Sequence, residues 1–140
     1  MKKNGTMVEL VGGMMVEEDL SCSETVLHGA DRVYGLNLPR EALKLAAGFG
    51  GGMGIEKTCG GLTGGIMALS SIFVKKSARE GEYCKELTGE FLHRVIGEMG
   101  SLDCDYLKEH YRDEVTECKP TVEKIVVILE EIIDRELANG

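Results

Sequence analysis

A long apolar stripe with helical spacing is the feature that most constrains the fold of this chain. It lies in the segment PTVEKIVVILEEIIDREL, which begins at Pro120. Apolar residues recur there at the spacing of one helix face: Val122, Ile125, Val126, Leu129, Ile132, Ile133 and Leu137. No segment alternates between apolar and polar residues over a useful length, as a half-buried strand would. The pattern therefore predicts an all-α fold.

The length predicts a single domain, residues 1–140, built as a bundle of about five to six helices. A first helix is predicted within residues 7–18, broken where Gly12 and Gly13 interrupt it. The uncharged, glycine-rich segment from Thr58 to Val74 is predicted to be the central helix.

Helix ends are marked by capping residues. Ser21 and Glu24 have the spacing of a capping box, and Gly35 is placed to end the helix that follows. Further helix starts are predicted at Pro39, at Thr58 as the cap of the central helix, at a second capping box of Ser77 and Glu80, at Asp103 and at Pro120.

The central helix has one face of small residues. Gly60, Gly64 and Ala68 are spaced four apart, so they fall on the same side of a helix. Such a face lets another backbone approach closely. We therefore expect a second element to pack tightly against it.

Charge and hydropathy exclude several classes of function. The net charge of −8 disfavours nucleic-acid binding, because an acidic surface repels phosphate. The uncharged segment 58–74 is short for a membrane span and rich in small polar residues, so no span is predicted. Glu9 interrupts the apolar run that follows the N-terminal lysines, so no signal peptide is predicted. A cytoplasmic protein is expected.

The glycine-rich loop GFGGGMGIEKTCGG resembles a phosphate-binding loop, but it matches neither the P-loop pattern nor the dinucleotide-binding pattern. In the P-loop pattern counted from Gly51, Glu56 stands where the second glycine is needed. In the dinucleotide pattern counted from Gly48, Met53 stands at the last glycine. Both motifs also need a strand before the loop, and the preceding segment is helical in pattern. No nucleotide is expected.

The five cysteines are the strongest indication of chemistry. Their odd number, in a chain without a predicted leader, indicates metal binding or thiol chemistry rather than a secreted disulfide scaffold. Four of them lie at or just before predicted helix starts: Cys22, Cys59, Cys104 and Cys118. A helix N-terminus stabilises a thiolate, the form that binds metals or attacks disulfides. We therefore expect these four to act together, and Cys84 to be a buried or half-buried structural residue.

These residues give the chain a family resemblance. It resembles the redox-active proteins described by the cysteine pattern C…GCAxxG…C…C, over about residues 20–120. The matching pieces are SCSETVL, LAAGFGGGMG leading to TCGGLTGGIMAL, LDCDYL and ECKPTV. Thr58 replaces the glycine before the second cysteine, Gly60 replaces the alanine, and Gly64 meets the last glycine one position late. The chain is also similar to the iron–sulfur portion of split-Soret-type cytochromes.

The resemblance implies a helical redox protein, an oxidoreductase or electron-transfer component, with four cysteines around one iron–sulfur cluster. A [2Fe–2S] cluster is favoured over [4Fe–4S], and no C-x-x-C-H motif is present for a c-type haem. Gly52, Gly54, Thr58 and Gly60 are predicted as backbone or cap donors to the site. Two alternatives stay open: a metal-free thiol–disulfide protein with Cys59 as its best nucleophile, and a structural zinc site. The redox partner protein is not identified, and a homo-oligomer is compatible with the sequence.

Overall fold

The computed structural model of the chain describes residues 3–76 and 82–139. These residues form seven α-helices and no β-strand, which confirms the all-α prediction. The helices are α1 Met7–Glu17, α2 Cys22–Tyr34, α3 Arg40–Leu43, α4 Gly60–Phe73, α5 Tyr83–Met99, α6 Cys104–Tyr111 and α7 Lys119–Asn139. A 3-10 helix, Lys44–Phe49, and a wide turn, Gly52–Glu56, connect α3 to α4.

The helices pack around a core to which α7 contributes most of its apolar stripe. Val122, Ile125 and Leu129 are fully buried, as the sequence pattern predicts. Helix α4 packs against α2, α5 and α7, so it has the central position expected of it. No helix in the two described ranges is long and apolar enough to cross a membrane.

Glycines in α4 allow close contact on two sides. A Cβ atom at Gly64 would lie 2.4 Å from the backbone oxygen of Ser23 in α2. A Cβ atom at Gly65 would lie 2.7 Å from the ring of Phe91 in α5. The predicted close approach at the small-residue face is therefore confirmed, and α2 is the element that packs there.

Most of the predicted capping residues end or begin helices as expected. Ser21 and Glu24 form a complete capping box at the start of α2. Gly35 ends α2 with a φ of 62°, and Gly100 ends α5 with a φ of 94°. Both conformations favour glycine. The capping box predicted from Ser77 and Glu80 lies outside the described residues.

One prediction about the N-terminal half is wrong, and one helix is shorter than its pattern. Helix α1 is continuous through Gly12 and Gly13, and Gly12 faces Lys119: a Cβ atom at Gly12 would lie 2.5 Å from the Lys119 Cε atom. A helix starts after Pro39 as predicted, but it tightens into the 3-10 helix after Leu43. There the Ser23 hydroxyl donates a hydrogen bond of 2.7 Å to the carbonyl oxygen of Ala46, which joins this turn to α2.

Candidate functional site

Four cysteines of the chain line one cavity. It has a volume of about 200 Å³. Apolar side chains from α1 and α6 also line the cavity, and so do the charged residues Lys108 and Glu117. The cysteines that line it are those predicted to act together, namely Cys22, Cys59, Cys104 and Cys118.

The first of these, Cys22, is held at the start of α2. It follows Ser21, whose hydroxyl and backbone N–H both contact the Glu24 carboxylate in the capping box. Helix α4 begins beside it, since a Cβ atom at Gly60 would lie 3.3 Å from the Cys22 Cβ atom. The alanine of the family pattern would be crowded at this position, so the glycine here is suited to its surroundings.

A short antiparallel backbone pairing of Thr58 with Asp103 is flanked by Cys59 and Cys104. The Cys59 N–H donates to the Leu102 carbonyl oxygen at 2.8 Å, and the Cys104 N–H donates to the Lys57 carbonyl oxygen at 2.5 Å. Both cysteines are buried, with exposed fractions of 3% and 7%. Main-chain hydrogen bonds thus join the two segments, far apart in sequence, that carry these cysteines.

This pairing corrects the prediction that Thr58 caps the central helix. Thr58 is bridged to Asp103, and Cys59 itself is the N-cap residue of α4. Asp103 is the N-cap of α6 as predicted, although its side chain makes no capping hydrogen bond. The sequence could not show this pairing, because it links segments that no local pattern connects.

The glycine-rich loop packs directly on Cys104. Gly52 has a φ of 64°, and a Cβ atom there would lie 2.7 Å from the Cys104 Cβ atom and 2.6 Å from the Lys57 backbone nitrogen. A side chain at position 52 is therefore excluded by both conformation and space. The exposed side chains of Met53 and Ile55 follow on the outer part of the loop.

Backbone N–H groups at the start of α4 are directed at the Cys59 sulfur. They belong to Gly61 and Leu62, and they lower the pKa of the Cys59 thiol. Burial has the larger effect and raises that pKa to about 11. A helix start supplies these donors, as the sequence suggested, and the donor role of Gly52, Gly54, Thr58 and Gly60 stays a prediction.

The fourth cysteine, Cys118, is presented by a tight turn before α7. Asp113 and Glu117 are joined through their backbones by two hydrogen bonds of 2.9 and 2.7 Å. The Asp113 carboxylate also accepts the Val115 N–H at 2.7 Å. The Cys118 carbonyl oxygen accepts the N–H of Val122 at 3.0 Å, which anchors it to the first turn of α7. Cys118 is half-buried.

The thiols of Cys22 and Cys118 shift each other's pKa. The interaction with Cys22 lowers the pKa of Cys118, and the positive charges of Arg112 and Lys108 lower it further, although burial opposes them. The interaction with Cys118, followed by burial, raises the pKa of Cys22. Of the two thiols, Cys118 therefore ionises more readily.

The sulfurs do not enclose a single point. Within residues 3–76 and 82–139, no three His, Cys, Asp or Glu side chains are placed to hold one metal ion together. A structural zinc site needs four ligands around one ion. All four cysteines nevertheless line the same cavity.

Comparison with known families identifies the chain. Its sequence matches the family model described as "Putative redox-active protein (C_GCAxxG_C_C)" over residues 20–132. The chain belongs to this family. The C_GCAxxG_C_C match confirms the resemblance seen in the sequence and supports a redox role. Comparisons with curated proteins and with solved structures give no significant match.

Other candidate groups of this C_GCAxxG_C_C protein lie away from the cavity lining. Cys84 is half-buried, with its sulfur 3.9 Å from the Ser70 hydroxyl, and His28 is half-buried on α2. His93 and His110 are exposed. Sequence reasoning missed Lys108, which lines the cavity. The available signal was its spacing, since it lies one helical turn after Cys104.

Proposed function

We propose that this protein is a redox protein whose Cys22, Cys59, Cys104 and Cys118 bind one iron–sulfur cluster for electron transfer or redox sensing. The observation that carries the proposal is that all four thiols line one cavity. Four cysteine thiolates are the usual ligands of such clusters. The membership of the C_GCAxxG_C_C family supports a redox role for the same residues.

The arrangement favours a [2Fe–2S] cluster over a single metal ion. Each iron of a [2Fe–2S] cluster takes two cysteines, so the four sulfurs need not surround one point. The segments of Cys59 and Cys104 are joined by the backbone pairing of Thr58 with Asp103, and the thiols of Cys22 and Cys118 shift each other's pKa. We therefore favour a two-iron group over zinc, which needs four ligands around one ion.

The surrounding residues suit this role. A bound cluster supplies one-electron chemistry, and its potential depends on hydrogen bonds to sulfur and on solvent exposure. The N–H groups of Gly61 and Leu62 donate to the Cys59 sulfur. The burial of Cys59 and Cys104 keeps water from these two residues, while Cys22 and Cys118 are half-buried.

Purification without oxygen tests the proposal. We expect a coloured protein with about two iron and two sulfide ions per chain, the content of a [2Fe–2S] cluster. Serine at position 22, 59, 104 or 118 should each lower the iron and sulfide content strongly. The matched control is Cys84→Ser, which changes a half-buried cysteine outside the cavity and should keep both. Zinc as the sole bound metal, or iron retained in all four variants, would contradict the proposal.

A second candidate function is thiol–disulfide exchange without metal, favoured by the placement of Cys22 and Cys118 on one cavity and by the lowered pKa of Cys118. In this reaction a bond forms between the two Sγ atoms, and two electrons and two protons pass to the disulfide of a partner protein, which becomes a dithiol. Cys118 is the better candidate for the attacking thiolate. Its pKa is lowered, whereas burial raises the pKa of Cys59.

Mass spectrometry of the anaerobically purified protein separates the two candidates. A colourless, metal-free protein that gains a Cys22–Cys118 disulfide after treatment with an oxidised dithiol would favour the second. A coloured protein with iron, sulfide and alkylation-resistant cysteines would favour the first. Cys84→Ser again serves as the control, since neither candidate uses Cys84.

A further inference from the structure

Two basic side chains of the α6 segment lie beside the cysteine cavity. Lys108 lines the cavity, and Arg112 pairs with Glu117, the residue before Cys118. Arg112 is the C-cap residue of α6, and its N–H donates to the Lys108 carbonyl oxygen at 3.2 Å. Both positive charges act on Cys118, and that of Lys108 also acts on Cys104.

Each of these cations also forms an ion pair with a carboxylate from a neighbouring segment. The Lys108 Nζ atom lies 3.3 Å from Glu56 in the glycine-rich loop, and the Arg112 Nη2 atom lies 3.8 Å from Glu117 in the turn before Cys118. The side chains in both pairs are 38–71% exposed. Exposed ion pairs contribute little to the stability of a fold, so a purely structural role does not account for these four charges.

We propose that Lys108 and Arg112 are positioning residues that raise the reduction potential of the four-cysteine site, and that Glu56 and Glu117 moderate their effect. The inference rests on the proposed redox function and holds for either redox chemistry. Each electron that the site accepts adds one negative charge unless a proton follows it. A nearby cation stabilises the reduced state by Coulomb attraction, and a carboxylate beside that cation weakens the attraction.

A redox titration with dithionite as the reductant tests the sign of each charge. Lys108→Gln and Arg112→Gln should each shift the redox equilibrium about threefold to tenfold toward the oxidised state. A tenfold shift equals 59 mV for one electron. Glu56→Gln should shift the equilibrium the other way, and Lys108→Arg should restore the wild-type potential because it restores the charge.

Arg94→Gln is the matched control for these potentials. Arg94 pairs with Glu131 at 2.9 Å, its side chain is 31% exposed, and it does not line the cavity. Its loss changes the net charge as Lys108→Gln does, yet should leave the potential unchanged. Equal potentials in the wild type, Lys108→Gln and Arg112→Gln, with the redox centre intact, would overturn the inference.

Alkylation of the metal-free protein gives a readout that does not need the redox centre. The reagents are iodoacetate, which is negative, and iodoacetamide, which is neutral. The ratio of their rates at Cys118 should fall in Lys108→Gln and Arg112→Gln, because the cations attract the negative reagent. The ratio at Cys84 in the same samples should stay constant.

These outcomes separate this inference from the proposed function. A wild-type protein with no iron, no sulfide and no reversible disulfide overturns the redox function and with it the control of potential. A rate ratio at Cys118 that is identical in the wild type and both glutamine variants overturns the cationic environment itself, whatever the site binds.

Discussion

At the scale of single residues, solvent exposure divides the four cavity cysteines into two kinds. Cys59 and Cys104 are almost fully buried behind the glycine-rich loop and α4. Cys22 and Cys118 are half-buried, and they meet where α2 and α7 begin. The outer pair is therefore the part of the site that a reagent or partner reaches first.

This difference predicts an order of alkylation in the metal-free protein. We expect iodoacetamide to label Cys118 at least about tenfold faster than Cys59, because a buried thiol reacts only after local opening, which occurs with low probability. Peptide mapping by mass spectrometry at successive times measures both rates in one sample. Equal rates in native buffer would contradict the structure, whereas in denaturant the rates should converge.

At the scale of elements, the contact between α2 and α4 depends on the absence of a side chain at position 64. Gly64→Ala should destabilise the fold by about 1–3 kcal/mol, because the added methyl group meets rigid backbone at Ser23. Urea unfolding followed by circular dichroism gives the free energy of unfolding.

Gly89→Ala is the control for that substitution. Gly89 lies inside α5 with no atom within 4 Å of an added Cβ. Alanine there should be neutral or stabilise by up to about 1 kcal/mol, since it favours helix more than glycine does. Similar losses of stability at positions 64 and 89 would show that helix propensity, and not the close contact, determines the result.

The start of α2 gives a second prediction at this scale. Ser21→Ala should lower the free energy of unfolding by about 1 kcal/mol, because the N-cap hydroxyl is lost. Glu24→Gln should have a smaller effect, since an amide oxygen also completes a capping box. Thermal or urea unfolding of both variants tests this order, and an equal or larger loss in Glu24→Gln would contradict it.

Local sequence signals predicted much of this architecture. The boundaries at Ser21, Gly35 and Asp103 depend on capping chemistry that is encoded within a few residues, and the structure confirms them as helix ends. The four cysteines were selected by their position at helix starts. This selection required only the approximate positions of the helix starts, so errors of one or two residues in those positions did not affect it.

The missed features depend on contacts between distant segments. Gly12 lies within a continuous α1, where the absence of a Cβ atom leaves room for the Lys119 side chain. Thr58 does not cap α4, because it pairs with Asp103 instead. The importance of Lys108 emerges only once α6 lies beside Cys118. No local pattern contains such information, since the partners are far apart in the sequence.

At the scale of the whole molecule, the cavity joins four elements that are otherwise separate. Its cysteines lie at the starts of α2, α4, α6 and α7. A group bound by all four would bind the folded chain and not the unfolded one, so it would raise the free energy of unfolding by linkage.

Removal of the bound group should therefore lower the melting temperature. A stabilisation of about 2.7 kcal/mol, the value at a hundredfold excess over Kd, corresponds to roughly 10 °C for a domain of this size. Calorimetry of the anaerobic protein before and after removal of iron by a chelator gives the difference. The same treatment of Cys118→Ser should give a much smaller change, and an equal change would place the iron elsewhere.

The dispersal of the four cysteines along the chain also affects how the protein is made. During synthesis the ribosome releases Cys22, Cys59 and Cys104 before Cys118, and Cys118 is held in place only once α7 has formed. The nascent chain therefore carries reactive thiols without a complete site for them. A group bound by all four cysteines would therefore be inserted late, after the segment that carries Cys118 has been made.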